Sequence, residues 1–161
     1  MVKKNNRSSV IKTGGIMEEL HSRICGEKAI EQVLTIQLED DDDILECLKK
    51  AMRESGIEKG KIIEVRGFWK EGMMNYFLKN QYKSRKTLGI EKITAGSGKF
   101  AKEGNDFIGD LHIVTKIGNQ LLNGSLLEGK TSGELSIKVK FCRFLEAKTQ
   151  KTGDSLNSFS P

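Results

Sequence analysis

The sequence predicts an α+β fold, with a largely antiparallel or mixed β-sheet and one main helix near the N-terminus. Most of the chain divides into short segments of alternating apolar and polar residues, the periodicity of half-buried strands. Turns containing glycine and asparagine separate these segments, and one early segment has helical periodicity instead. The sole proline is Pro161, so no predicted strand is interrupted by proline.

A run of acidic residues joins the first predicted strand to the predicted helix. Alternation predicts a strand over residues 32–38, and apolar residues at helical spacing predict a helix from Ile44. The carboxylates of residues 39–43 lack the alternating ligands and central glycine of a calcium-binding EF-hand loop. We therefore interpret them as capping residues at the helix N-terminus, and Gly56 as the left-handed residue that ends the helix.

Six further segments have strand character, and a basic loop is predicted over residues 79–86. Turns are predicted at residues 102–105, 118–119 and 129–133. The predicted strands cover residues 61–67, 73–78, 90–95, 108–115, 121–127 and 134–141.

The positive charge of the chain is concentrated in its first residues. The net charge is +5, and residues 1–17 hold four basic residues and no acid, so the remainder is nearly neutral. We predict that residues 1–17 form a disordered basic arm and that residues 18–161 form a single domain. Basic side chains of this arm and of the predicted loop are candidates for contacts with nucleic-acid phosphates. They are Lys3, Lys4, Arg7, Lys12, Lys79, Lys83, Arg85 and Lys86.

The cysteines predict a cytoplasmic protein. Cys25, Cys47 and Cys142 are odd in number and far apart, so we interpret them as reduced, mostly buried thiols. No apolar run approaches the roughly 18 residues that cross a bilayer. The basic start is not followed by the apolar segment of a secretory signal, and no membrane association is predicted.

The stretch around His112 carries the most specific signal. Successive side chains of a strand alternate between its faces, so Asp110 and His112 share one face while Leu111 and Ile113 share the other. By contrast, Gly96-Ser97-Gly98 lacks the further residues of a phosphate-binding loop, and we interpret it as a turn between strands.

From about residue 31 to 156 the chain resembles the plant and prokaryote conserved (PPC) domain family. This domain occurs alone in bacteria and archaea and is attached to AT-hooks in plants. The passages that carry the resemblance are residues 39–48, residues 56–68 with 73–77, Gly109-Asp-Leu-His112 with Asn123-Gly-Ser-Leu-Leu-Glu-Gly129, and Lys151-Thr-Gly-Asp-Ser-Leu156.

The resemblance implies a homotrimer with distant similarity to acetolactate decarboxylase, a zinc enzyme that uses three histidines. Prokaryotic family members often have three histidines as well, whereas here the corresponding positions are Asp110, His112 and Ser125. A serine hydroxyl is a poor substitute for imidazole, so no cofactor is expected. A zinc site remains the alternative, with Asp110, His112 and Glu134 as ligands.

The interpretation we prefer is a hydrogen-bonded cluster at a pocket or subunit interface, formed by Asp110, His112, Ser125 and Glu134. The predicted function is a binding or assembly module with weak nucleic-acid affinity. The alternative is a metal-dependent or small-molecule lyase-like enzyme that uses this cluster, with Arg143 as an anion anchor. The chain lacks the proline-containing core of an AT-hook, and the sequence does not identify a small-molecule ligand.

Overall fold

The structure, a computed structural model, describes residues 7–13, 16–24 and 29–144 and confirms the α+β class. Its elements, in chain order, are β1 (Arg7–Thr13), β2 (Ile16–Ile24), β3 (Ala29–Leu38), α1 (Ile44–Glu54), β4 (Lys59–Leu78), β5 (Gln81–Lys86), β6 (Glu91–Glu103), β7 (Asp106–Ile117) and β8 (Gln120–Phe144). The strands form one sheet in the order β1-β2-β3-β8-β7-β6-β4-β5, and every pairing between them is antiparallel.

Four strands of this sheet close on themselves. β8 pairs with β7, β7 with β6 and β6 with β4, and an additional pairing of β4 with β8 completes a ring. β3 continues the sheet from β8 outside the ring, and β5 continues it from β4. Strand alternation therefore directs one set of side chains into the ring and the other set outward.

Trp69 lies on β4 of the ring and is fully buried. Its indole N–H donates to the hydroxyl of Thr115 on β7, with 2.9 Å between nitrogen and oxygen. That hydroxyl in turn donates to the carbonyl of Lys92 on β6 at 2.8 Å. Tryptophan and threonine thus satisfy each other's polar groups inside an apolar core.

The helix is formed and capped as the sequence predicts. The carboxylate of Asp43 accepts a hydrogen bond from the Glu46 N–H at 3.0 Å, and Gly56 has a φ of 68° just after the C-cap residue. The face of α1 that packs on the sheet comprises Ile44, Leu48, Ala51 and Met52, all fully buried.

The acidic turn before the helix is also attached to β8. The backbone of Asp41 and Asp42 exchanges hydrogen bonds with Thr131, and the Asp40 carboxylate accepts from the Gly133 N–H at 2.7 Å. This last bond, aided by the nearby ammonium of Lys70, lowers the pKa of Asp40. The acidic run therefore caps the helix and also anchors it to the sheet.

Three segments predicted as loops or turns are strands instead. Residues 79–86 form a two-residue turn followed by β5, Gly96-Ser97-Gly98 lies within β6, and residues 129–133 lie within β8. Four of the predicted strands merge into two long ones. Residues 61–67 and 73–78 both lie in the continuous strand β4, and residues 121–127 and 134–141 both lie in the continuous strand β8. Irregular pairing and the positive φ of Gly133 bend these long strands without ending them.

The N-terminal residues differ from the predicted disordered arm. Arg7–Thr13 forms β1, whose backbone pairs with β2 along its whole length, and β2 pairs with β3. Residues 1–6 and 14–15 lie outside the described residues, so Lys3 and Lys4 are not placed. The single domain predicted over residues 18–161 stays a prediction.

The described cysteines differ in environment. Cys47 is half-buried on α1, and burial raises the pKa of its thiol to about 11, which makes it a poor nucleophile. Cys142 is exposed, contrary to the predicted burial, and Cys25 lies outside the described residues. In the part of the chain that the structure describes, no helix has the length and apolar character needed to span a bilayer.

Candidate functional site

His112 belongs to a row of polar side chains on the side of the sheet that points out of the ring. It lies opposite Ser97 of β6 on one side and opposite Ser125 of β8 on the other. Ser125 lies opposite Asn75 of β4, which lies opposite Ser84 of β5. Directly opposed residues of antiparallel strands point to the same face, so five strands contribute to one polar row.

One end of this polar row is fixed by a hydrogen bond. The hydroxyl of Ser84 donates to the amide oxygen of Asn75 at 2.7 Å. His112 is exposed and Ser125 half-buried, so an imidazole, two hydroxyls and an amide remain accessible for contacts with a second molecule. His112 and Ser125 are site residues that the sequence predicts. Ser84, Asn75 and Ser97 were not predicted, because only the strand pairing places them in the same row.

Asp110 points to the same side of the sheet and lies next to the polar row. It is exposed and lies opposite Lys99 of β6. The structure therefore places Asp110, His112 and Ser125 on one surface, although within residues 29–144 no hydrogen bond joins these three side chains.

Glu134 and Arg143 lie elsewhere. Glu134 is exposed and adjoins the β8 residue that pairs with Gly67 of β4. Ser125 lies in a different part of β8, where this strand pairs with β7. The Arg143 guanidinium donates to the side-chain oxygen of Gln32 at 2.7 Å and to the carbonyl of Ser55 at the helix C-terminus. Arg143 therefore attaches the end of α1 to the sheet and lies at the β3 pairing of β8, not beside His112.

The residues around His112 do not fit a catalytic zinc ion. Among the described residues, no three histidine, cysteine, aspartate or glutamate side chains lie close enough to hold a metal together. The three positions that the resemblance aligns supply one imidazole, one carboxylate and one neutral hydroxyl. Catalytic zinc takes three protein ligands, and a serine hydroxyl is not among the usual ones.

Large apolar side chains border the polar row on the same face. Phe77 and Tyr82 are directly opposed on β4 and β5, with their rings edge to face and centroids 4.9 Å apart. Leu121 and Leu127 share the outward direction of Ser125 along β8. The exposed fractions are 56% for Phe77, 78% for Tyr82, 66% for Leu121 and 41% for Leu127. We call Phe77, Tyr82, Leu121, Leu127 and the polar row the outer face.

These outward apolar residues were not among the predicted site residues. A signal for them exists in β8, where Leu121 adjoins Leu122 and Leu127 adjoins Leu126. Neighbouring leucines in a strand point to opposite faces, so one of each pair must leave the core. The buried partners are Leu122 and Leu126.

The candidate phosphate-contacting residues do not form one patch. Lys79 lies in the turn between β4 and β5, and along β5 Lys83 and Arg85 point to one face while Lys86 points to the other. The Arg85 guanidinium donates to the side chain of Gln120 at 2.6 Å. β5 is the last strand in the sheet order, and charged side chains on such a strand also discourage pairing with other chains. Arg7 and Lys12 lie in β1.

The closed antiparallel ring, its flanking helix α1 and the outer face define a small α+β barrel domain. The model of the Plants and Prokaryotes Conserved (PCC) domain matches residues 25–139. The chain therefore belongs to this family, the same PPC family that its sequence resembles. No curated protein matches the chain in sequence.

Solved structures share the fold at low sequence identity. A plant- and prokaryote-conserved protein from Pyrococcus horikoshii is 18% identical, with a TM-score of 0.61 over 74% of this chain and 85% of that one. A "putative DNA-binding protein" from Bacteroides thetaiotaomicron is 18% identical, with a TM-score of 0.59 over 83% of each chain. A metal-containing protein from Archaeoglobus fulgidus is 14% identical, with a TM-score of 0.60 over 70% of this chain and 80% of that one.

Proposed function

We propose that this protein is a homotrimeric binding and assembly module, in which the outer face is the contact between subunits and basic groups bind nucleic acid weakly. The observation that carries the proposal is the exposure of four large apolar side chains around the polar row. Large apolar side chains that are exposed on one face and bordered by polar residues usually mark association sites.

The composition of the outer face suits association of identical subunits. Its aromatic and leucine side chains offer apolar area to remove from water, and the imidazole, hydroxyl and amide groups between them offer specific hydrogen bonds. A polar row flanked by apolar groups therefore supports a specific interface. The resemblance to the PPC family supports three copies over two.

We expect light scattering at micromolar concentration to give three times the 18.0 kDa chain mass. Replacing Leu121 by aspartate should shift dissociation to protein concentrations at least about tenfold higher, because a carboxylate would have to be buried in the contact. Ile90 is 64% exposed, lies before β6 and is not one of the residues of the outer face, so Ile90→Asp is a matched control that should leave the mass unchanged. A monomeric wild-type chain, or equal effects of both variants, would contradict this assignment.

Nucleic-acid binding is supported by the basic residues and by two similar structures described as "putative DNA-binding protein". The net charge of +5 with four basic residues before residue 17 favours contacts with phosphates through the N-terminal residues. In a trimer these residues would be present three times, so that weak contacts would add to a measurable affinity.

A salt titration with a duplex DNA probe tests this part of the proposal. Replacing Lys3 and Lys4 by glutamine should weaken binding at low salt and reduce the salt dependence, by about 0.9 in log–log slope for each phosphate that is no longer neutralised. Lys92→Gln with Lys102→Gln removes the same charge from exposed strand positions and should have little effect. If the wild-type protein does not bind the duplex at low salt, the nucleic-acid function is wrong.

A further inference from the structure

A second surface feature lies apart from the outer-face apolar residues, where β4, β6, β7 and β8 meet. It is a pocket of about 340 Å³, at the small end of the range of ligand pockets. Its lining comprises four lysines together with glycine and apolar residues, and none of the lining residues is acidic. They are Lys59, Gly60, Lys61, Lys99, Phe100, Ala101, Ile108 and Lys140.

Three of these lysines form a row across three strands. Lys61 of β4 lies directly opposite Lys99 of β6 on one side and directly opposite Lys140 of β8 on the other. Directly opposed residues have Cβ atoms about 5 Å apart, so three ammonium groups start from neighbouring positions on one face. Like charges in this arrangement repel each other and destabilise the sheet.

Little in the described structure neutralises this row. The Lys140 ammonium pairs with Glu31 at 2.9 Å between nitrogen and oxygen. Within residues 29–144, Lys59, Lys61 and Lys99 make no ion pair, although Asp110 lies opposite Lys99. The pocket therefore keeps a concentrated positive charge.

The rest of the pocket combines apolar side chains with the fourth lysine, Lys59. Ala101 lies opposite both Lys59 and Ile108, which forms a second row beside the lysine row. Ile108 is 59% exposed, and the buried Phe100 also contributes to the lining. A ligand that lies here meets three lysines along one row, and along the next row it meets the apolar side chains of Ala101 and Ile108 beside Lys59.

We propose that this pocket binds a small phosphate monoester that carries an aryl or short alkyl group. A phosphate monoester has a charge of about −1.5 to −2 at neutral pH and three acceptor oxygens, which matches several lysine ammonium groups better than a single carboxylate does. The apolar substituent lies on Ile108 and Ala101. This inference goes beyond the proposed function and does not depend on it.

Phenyl phosphate is the probe that tests the proposal, with calorimetry on the full chain in its native assembly. We expect saturable binding, tighter than that of inorganic phosphate, which lacks the apolar group. Lys61→Gln should weaken phenyl phosphate binding by at least about fivefold, because a charge-assisted hydrogen bond is removed at the centre of the row. Lys61→Arg should retain most of the affinity.

Lys92→Gln is the matched control, since Lys92 is an exposed lysine of β6 outside the pocket. It should leave the affinity unchanged. Thermal unfolding separates binding from folding: Lys61→Gln relieves repulsion and should unfold at the same or a higher temperature than wild type. The proposal is overturned if phenyl phosphate does not saturate, or if Lys61→Gln and Lys92→Gln behave alike. It is also overturned if Lys61→Gln weakens only duplex DNA binding, which would make the row a nucleic-acid surface.

Discussion

Replacing Trp69 by alanine is expected to lower the free energy of unfolding by about 3–5 kcal/mol, the usual cost of truncating a large buried aromatic residue. The indole is fully buried, and two glycines hold it closely. A Cβ added to Gly72 would lie 2.7 Å from the indole ring, and one added to Gly129 would lie 2.8 Å from it. Because the backbone is fitted around this side chain, the space left by alanine cannot be refilled by small side-chain shifts.

Urea unfolding at a fixed protein concentration, followed by far-ultraviolet circular dichroism, measures this decrease. Fluorescence is unsuitable because Trp69 is the only tryptophan. Trp69→Phe should lower the free energy of unfolding by less, about 1–3 kcal/mol. It keeps an aromatic ring but removes the indole N–H, which donates a hydrogen bond to the Thr115 hydroxyl. Phe68→Ala, which truncates a partly exposed aromatic residue of β4 that is not part of the outer face, serves as the control for stability. A decrease in the free energy of unfolding below about 1 kcal/mol for Trp69→Ala would show that the four-stranded ring is not packed around the indole.

Replacing Gly98 by alanine is expected to cost about 3 kcal/mol or more. Gly98 has a φ of 149°, which L-residues with a side chain rarely adopt. A Cβ at this position would also overlap the carbonyl oxygen of Asp110 on β7. The backbone atoms of a paired strand cannot move away without breaking the pairing. The free-energy costs of the backbone strain and of the steric overlap therefore add together.

Gly89→Ala is the matched control for this prediction. Gly89 lies just before β6, and a Cβ there would meet nothing within 4 Å. Its substitution should change the free energy of unfolding by less than about 1 kcal/mol and can stabilise the fold by restricting the unfolded chain. Equal decreases for the two alanine variants in the same urea experiment would refute the close approach of β6 and β7.

The helix could be predicted because its signals are local. Asp43 needs only the N–H of Glu46 one turn ahead, and Gly56 needs only its own left-handed conformation. The first strand, within β3, could be predicted for a similar reason, since alternation is a property of neighbouring residues. These elements have little dependence on distant parts of the chain.

The lengths of β4 and β8 could not be predicted from local signals. Glycines at 67, 72, 129 and 133 look like strand ends, but in the structure they allow close approach or bending within continuous strands. Gly96 and Gly98 look like a turn for the same reason. Gly96 accommodates Val65 of β4 and Gly98 accommodates the backbone of β7, so both serve closure of the ring.

The candidate site was partly predictable. Asp110 and His112 share a face because they are two residues apart, and Ser125 joins them through the pairing of β7 with β8. The positions of Glu134 and Arg143 depend on where β8 leaves β7 and pairs with β4 and β3, which their local sequence does not reveal. The outer face and the lysine row depend wholly on the register of several strand pairs, which no single segment encodes.

The position of β8 also has a consequence for synthesis on the ribosome. β8 follows all other described elements, yet it supplies the partner edges of β3, β4 and β7. A nascent chain that has emerged only as far as β7 therefore presents three strands with unoccupied hydrogen-bonding edges. Until its final long strand leaves the exit tunnel, the polypeptide is vulnerable to intermolecular pairing, and early protection by chaperones becomes important for its yield.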